Sequence, residues 1–83
     1  MTLEDIKVGT CFADTCNGEL IFVLKVVDIK ENHFRVSGIN YITPGKVQYI
    51  ANWYYPKRFF SSFRSKMITL DEYEASIAVA LLL

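Results

Sequence analysis

Hydrophobic and polar positions alternate along most of this chain, and the alternation breaks where turns are expected. Between Glu19 and Lys30, Leu20, Phe22, Leu24 and Val26 face one way, while Ile21, Val23 and Val27 face the other. A strand apolar on both faces is covered on both sides, as in the wall of a small barrel with something packed outside it. Ahead of it, Thr2 followed by Asp5 reads as a capped helical turn, and Gly9 to Asp14 as a first strand. Asn17-Gly18 joins the two strands. That pair is the strongest short hairpin signal, because a type I′ turn needs positive φ at both centres.

Beyond a turn at Lys30-Glu31-Asn32-His33, the third strand changes phase: Phe34 and Val36 are even-numbered, Ile39 and Tyr41 odd. A period-2 pattern changes face by inserting a residue, so a β-bulge is expected at Ser37-Gly38. Thr43-Pro44-Gly45 forms the next turn. Val47, Tyr49, Ala51, Trp53 and Tyr55 then alternate with Lys46, Gln48, Ile50, Asn52 and Tyr54, the cleanest half-buried strand in the chain, ended by Pro56. Phe59, Phe63 and Met67 follow at four-residue spacing, which fits a strand or an irregular helical turn.

A helix is predicted over about 69–83. Thr69 to Glu72 is a capping box with acids in the first turn. Leu70, Tyr73, Ile77 and Leu81 form one apolar stripe, yet Ala75, Ala78, Val79, Leu82 and Leu83 make the remaining faces apolar too. One small sheet cannot satisfy such a helix end. Either the tail is clamped into the barrel, or Ile77, Val79, Leu81, Leu82 and Leu83 meet a second copy as a homodimer. The expected fold is therefore α+β and β-dominated: one domain over 1–83. Its antiparallel sheet of four or five strands curls like an SH3-like barrel and carries a C-terminal helix.

Composition sharpens this picture by exclusion. The 83 residues suffice for one domain, and 52% hydrophobic against 22% charged, with four Gly and two Pro, excludes disordered and low-complexity classes. A (β/α)₈ barrel, at roughly 200 residues or more, does not fit. The acidic start, Glu4-Asp5, and apolar runs well short of the ~20 residues that span a bilayer lead to the expectation of a cytoplasmic protein with no membrane segment. Cys11 and Cys16 are too few for a disulfide framework and are expected as free thiols.

Candidate chemistry is sparse. The only His, His33, lies in a predicted turn with no acid placed to orient it. The acidic pairs Glu4/Asp5 and Asp71/Glu72 sit where helix N-termini favour negative charge. Two Cys and one His fall short of a closed zinc site, and the glycines are scattered singly, without a phosphate-binding fingerprint. No catalytic residue, metal or cofactor is expected.

Charge is the informative feature. The formal net charge is zero, but residues 1–31 carry net −3, residues 32–66 carry Arg35, Lys46, Lys57, Arg58, Arg64 and Lys66 with no acid, and residues 67–83 carry net −3. The basic middle also holds nine of the twelve aromatics. Val47, Tyr49, Trp53, Tyr55, Phe59 and Phe63 are expected to fill the core. Tyr54, Lys57, Arg58, Phe60, Arg64 and Lys66 are the candidate partner-binding residues.

Trp, Tyr and Arg dominate interface hot spots. The leading expectation is thus a non-catalytic interaction module, an inhibitor or adaptor of the kind small phage or mobile-element proteins provide, binding a protein with an acidic surface. Cations interleaved with rings also suit nucleic acid, which is the alternative use of segment 53–66; the pI of about 6.5 weighs against it. A small-ligand or nucleotide sponge is the third reading.

Overall fold

Five strands form from these patterns: β1 (Cys11–Cys16), β2 (Glu19–Ile29), β3 (His33–Thr43), β4 (Lys46–Pro56) and β5 (Ser65–Ile68), followed by helix α1 (Leu70–Ala80). The computed structural model describes residues 2–43 and 45–82. Pro44 of the expected turn and Leu83 of the expected oligomerisation set lie outside the described residues. The strands make one antiparallel sheet in the order β4-β3-β2-β1-β5. The sheet is curled but not closed. Tyr55 on β4 hydrogen-bonds Asp14 on β1 at 2.7 Å although β3 and β2 lie between them in the sheet, so the curl brings those side chains together.

Local chemistry explains the connections. Asn17 and Gly18 have φ of 53° and 80°, the left-handed pair that the hairpin requires. Single residues inserted in β2 bend it twice. Ile21 is passed over between the pairs Asp14↔Phe22 and Thr15↔Leu20, and Val27 between Val26↔Val36 and Asp28↔Arg35. Bulges of this kind add twist and curvature.

The middle of β2 is buried on both faces. On the concave face, Leu24 and Val26 join Ile6, Phe12, Phe34, Val36 and Tyr55. On the convex face, Val23 packs with Cys11 and Ala13 under Tyr73 of α1, flanked by Tyr41, Ile68 and Ile77. The two-sided cover expected of β2 is therefore found over its middle, with α1 outside, but in an open sheet, and Leu20 and Val27 of the expected set are 45% and 41% exposed.

The expected bulge occurs at Ser37, but the extra residue belongs to the facing strand. From Val36↔Trp53 to Gly38↔Ile50, β4 advances one residue more than β3, so Ala51 and Asn52 both oppose Ser37. The phase of β3 holds from Phe34 to Tyr41, and its one inserted residue is Ile42, passed over between Tyr41↔Val47 and Thr43↔Lys46. Phe34 and Val36 face the concave core, while Ile39, paired with Val23, and Tyr41 face the side α1 covers. On β4 the bulge resets the phase, so Ile50 turns to the core with Trp53, whereas Tyr49 is 49% exposed and Ala51 is exposed. Three rings expected in the core are thus not there: Tyr49, Phe59 (45% exposed) and Phe63 (96% exposed). Phe59 ends a 3₁₀ turn at Lys57–Phe59, and Phe63 stands on the loop that leads to β5.

The capping box of α1 forms as expected, with the Glu72 amide donating to Thr69 Oγ1 at 3.0 Å and the Thr69 amide to Glu72 Oε1 at 3.2 Å. Its buried face is Tyr73 and Ala80 with half-buried Ile77; Leu70 and Leu81 of the expected stripe are exposed. Val79 and Leu82 also stand in solvent, so the helix is clamped to the sheet but its end is not inserted. Among the described residues, no helix is long and apolar enough to cross a membrane. Both cysteines are free, Cys11 buried and Cys16 exposed.

Candidate partner-binding surface

The residues nearest to a functional surface gather where β3 begins and β4 ends. Because Tyr55 points into the core, its neighbour Tyr54 points out. Tyr54 lies opposite Arg35, and its ring stacks on His33 with centroids 4.0 Å apart and planes 27° from parallel. Arg35 is fixed against β4, its Nε and terminal nitrogen donating to Asn52 Oδ1 at 3.1 Å and to the Asn52 carbonyl at 3.0 Å.

The 3₁₀ turn after β4 completes the surface. The Lys57 amide donates to the Asn32 carbonyl at 3.0 Å, pinning this turn to the β2–β3 connection beside His33. Lys57 Nζ lies 5.5 Å from the Phe34 ring centre, and the Arg58 guanidinium 5.1 Å from that of Phe59. Such cation–π contacts hold both stems against rings and restrict their freedom. Two acids stand at this end: Asp28, whose bond to Lys30 at 3.0 Å, followed by one from the Ile29 amide, lowers its pKa, and Glu31, exposed in the β2–β3 connection.

Compared with known proteins, the chain matches no family model, no curated protein and no solved structure.

Of the six candidate residues, Tyr54, Lys57 and Arg58 lie at the end of the sheet where His33 begins β3, with Tyr54 stacked on His33 on the outward face and the Lys57 and Arg58 stems packed on the Phe34 and Phe59 rings. The sequence placed His33 in an exposed turn, but it is half-buried at the first position of β3, stacked across the strand pair. The other three are elsewhere. Phe60 is half-buried against the concave core, edge-on to Phe12 at 6.0 Å, so it packs the interior rather than a partner. Lys66 is exposed on β5, opposite Ala13 near the other edge of the sheet.

Arg64 is engaged internally. Its guanidinium lies 3.5 Å from Asp14 Oδ2 and donates to the Phe59 carbonyl. Asp14 itself is fully buried and accepts from Tyr55 Oη at 2.7 Å and from Ser65 Oγ at 2.6 Å. Burial first, and the bond to this carboxylate second, push the Tyr55 phenol far above its ordinary range. The cluster ties β4, β1 and β5 to one another. Asp14, Tyr55 and Ser65 are between 0% and 3% exposed, so this hydrogen-bonded network is closed to solvent and links three strands across the curl.

On α1, Ile77 is half-buried on the sheet and Val79 is 60% exposed, and just beyond the helix Leu81 and Leu82 are 69% and 85% exposed. No described residue covers them.

Proposed function

We propose that this protein is a non-catalytic interaction module that docks a partner protein of acidic surface on Tyr54, His33, Lys57 and Arg58. The supporting observation is the exposed Tyr54 ring stacked on His33 near the end of β4, followed in the chain by two cations held on rings, within a stretch, Asn32 to Leu70, that contains no acid. An aromatic anchor flanked by Arg and Lys is the composition of an interface hot spot. Opposite charge on the partner would steer the encounter and fix its orientation.

Nucleic acid is the weaker fit. Two of the six cations in segment 32–66, Arg35 and Arg64, are bonded within the fold, which leaves few to track successive phosphates. The test compares the parent protein with Lys57→Glu/Arg58→Glu in a quantitative pull-down, with identification of retained proteins and a parallel titration against oligo-dT. A retained acidic protein that the double variant releases, at unchanged thermal stability, supports the reading. Oligonucleotide binding that falls steeply with salt and disappears in the same variant overturns it.

A further inference from the structure

The two edges of the sheet differ in how open they are. At one end, β5 has four residues and carries the exposed Lys66 and Met67, and shortness and a lysine both discourage further pairing. At the other, β4 runs for eleven residues and pairs only with β3. Among the described residues, no backbone hydrogen bond from another element reaches its outer edge. At the bulge the Arg35 guanidinium takes the Asn52 carbonyl. Beside the bulge lies a hollow of about 270 Å³ lined by Asn40 and the β4 residues 48–53. Two of its lining residues, Ile50 and Trp53, are apolar and half-buried.

We propose that β4 receives an extended, acidic segment of the partner as a sixth strand. One apolar side chain of that segment sits in the hollow against Ile50 and Trp53, and its carboxylates lie at the two ends. In strand addition, main-chain bonds supply affinity and pockets for alternate side chains supply selectivity. Both elements are present at this edge. The charges choose the occupant: Lys46 opens β4, and Lys57 and Arg58 follow it, with no acid on β3 or β4. A second copy laid antiparallel on this edge would set Lys46 against Lys57 and Arg58, and a parallel copy would set like against like. Self-pairing is therefore repelled, while an acidic strand is attracted at both ends.

This inference rests on the acidic-partner reading above, and the experiment separates the two. The probe is the capped peptide Glu-Glu-Val-Leu-Val-Glu-Glu, compared with the same peptide N-methylated at alternate residues, which keeps its charge and removes its edge donors. Trp53, the single tryptophan and a wall of the hollow, reports binding by fluorescence, and amide hydrogen exchange reports β4. Edge pairing predicts a Trp53 response, slowed exchange along β4 and at least about tenfold weaker binding of the N-methylated peptide. Equal binding of both peptides, lost in Lys57→Glu/Arg58→Glu and without protection of β4, overturns the strand addition and leaves the acidic surface standing. Binding of neither peptide at low salt counts against both.

Discussion

Replacing Tyr55 by Phe removes one oxygen from the centre of the fold. The ring keeps its edge contacts with Phe12 at 5.5 Å, Phe22 at 6.4 Å and Trp53 at 6.0 Å, so packing is nearly conserved. What is lost is the 2.7 Å bond to a fully buried carboxylate, leaving Asp14 with Ser65 and the more distant Arg64. A hydrogen bond to a charged group contributes about 1.5–3 kcal/mol. A loss near 2 kcal/mol lowers the Tm of a domain this small by roughly 8–16 °C. Urea unfolding followed by Trp53 fluorescence measures the difference, and a cycle with Ser65→Ala should show coupling of about 0.5 kcal/mol or more, since both hydroxyls bond one carboxylate. Alkali gives a second readout. Tyr55 has a folded-state pKa raised above its ordinary 10, so the stability it contributes is complete below pH 10 and is lost as pH rises from there toward the folded value. The variant should lose less stability above pH 10 than the parent does. A Tyr55→Phe protein within about 0.5 kcal/mol of the parent, with the same alkaline slope, would refute the idea that this cluster holds the curl.

Two further perturbations probe the packing of the sheet. Gly38→Ala places a Cβ 2.0 Å from the Val23 carbonyl oxygen and 3.0 Å from Leu24 Cα, at φ 149°, so a loss of about 2–6 kcal/mol is expected, read as failure to accumulate soluble protein or a collapse of Tm. Thiol labelling under native conditions should modify Cys16 rapidly and Cys11 slowly, because Cys11 is buried and desolvation raises its pKa, the sum becoming two only in denaturant; equal native rates would contradict the packing of β1 under α1.

The elements of this fold were legible because their signals are local. Asn17-Gly18 fixes its own turn, Thr69 and Glu72 cap each other three residues apart, and alternation marks each long strand. The bulge was misplaced because alternation reports burial only when one surface covers the whole strand. In β3 the cover changes from the concave core to α1, so a strand unbroken from Phe34 to Tyr41 looks broken; in β4 the inserted residue falls where Tyr49 and Ala51 happen to continue the apolar pattern. Nothing local marks Asp14 as a core residue, since its partners Tyr55 and Ser65 lie 41 and 51 residues further along the chain. In the sequence it counts as one more acid of a net-negative end.

That reassignment of Asp14 also moves the site. With Arg64 neutralising a buried carboxylate and Phe60 packed on Phe12, the dense stretch 53–66 loses two members of its expected surface to the interior. What it keeps, Tyr54, Lys57 and Arg58, is joined by His33 from the far side of a strand pair. A basic, aromatic segment in sequence becomes in three dimensions a smaller cationic corner at the end of an open edge strand. If this corner docks a partner as proposed, its selectivity would depend less on total charge, which is zero, than on whether that partner can offer carboxylates and free backbone together. A globular acidic surface supplies only the first. The N-methylated peptide asks which of these two the corner recognises.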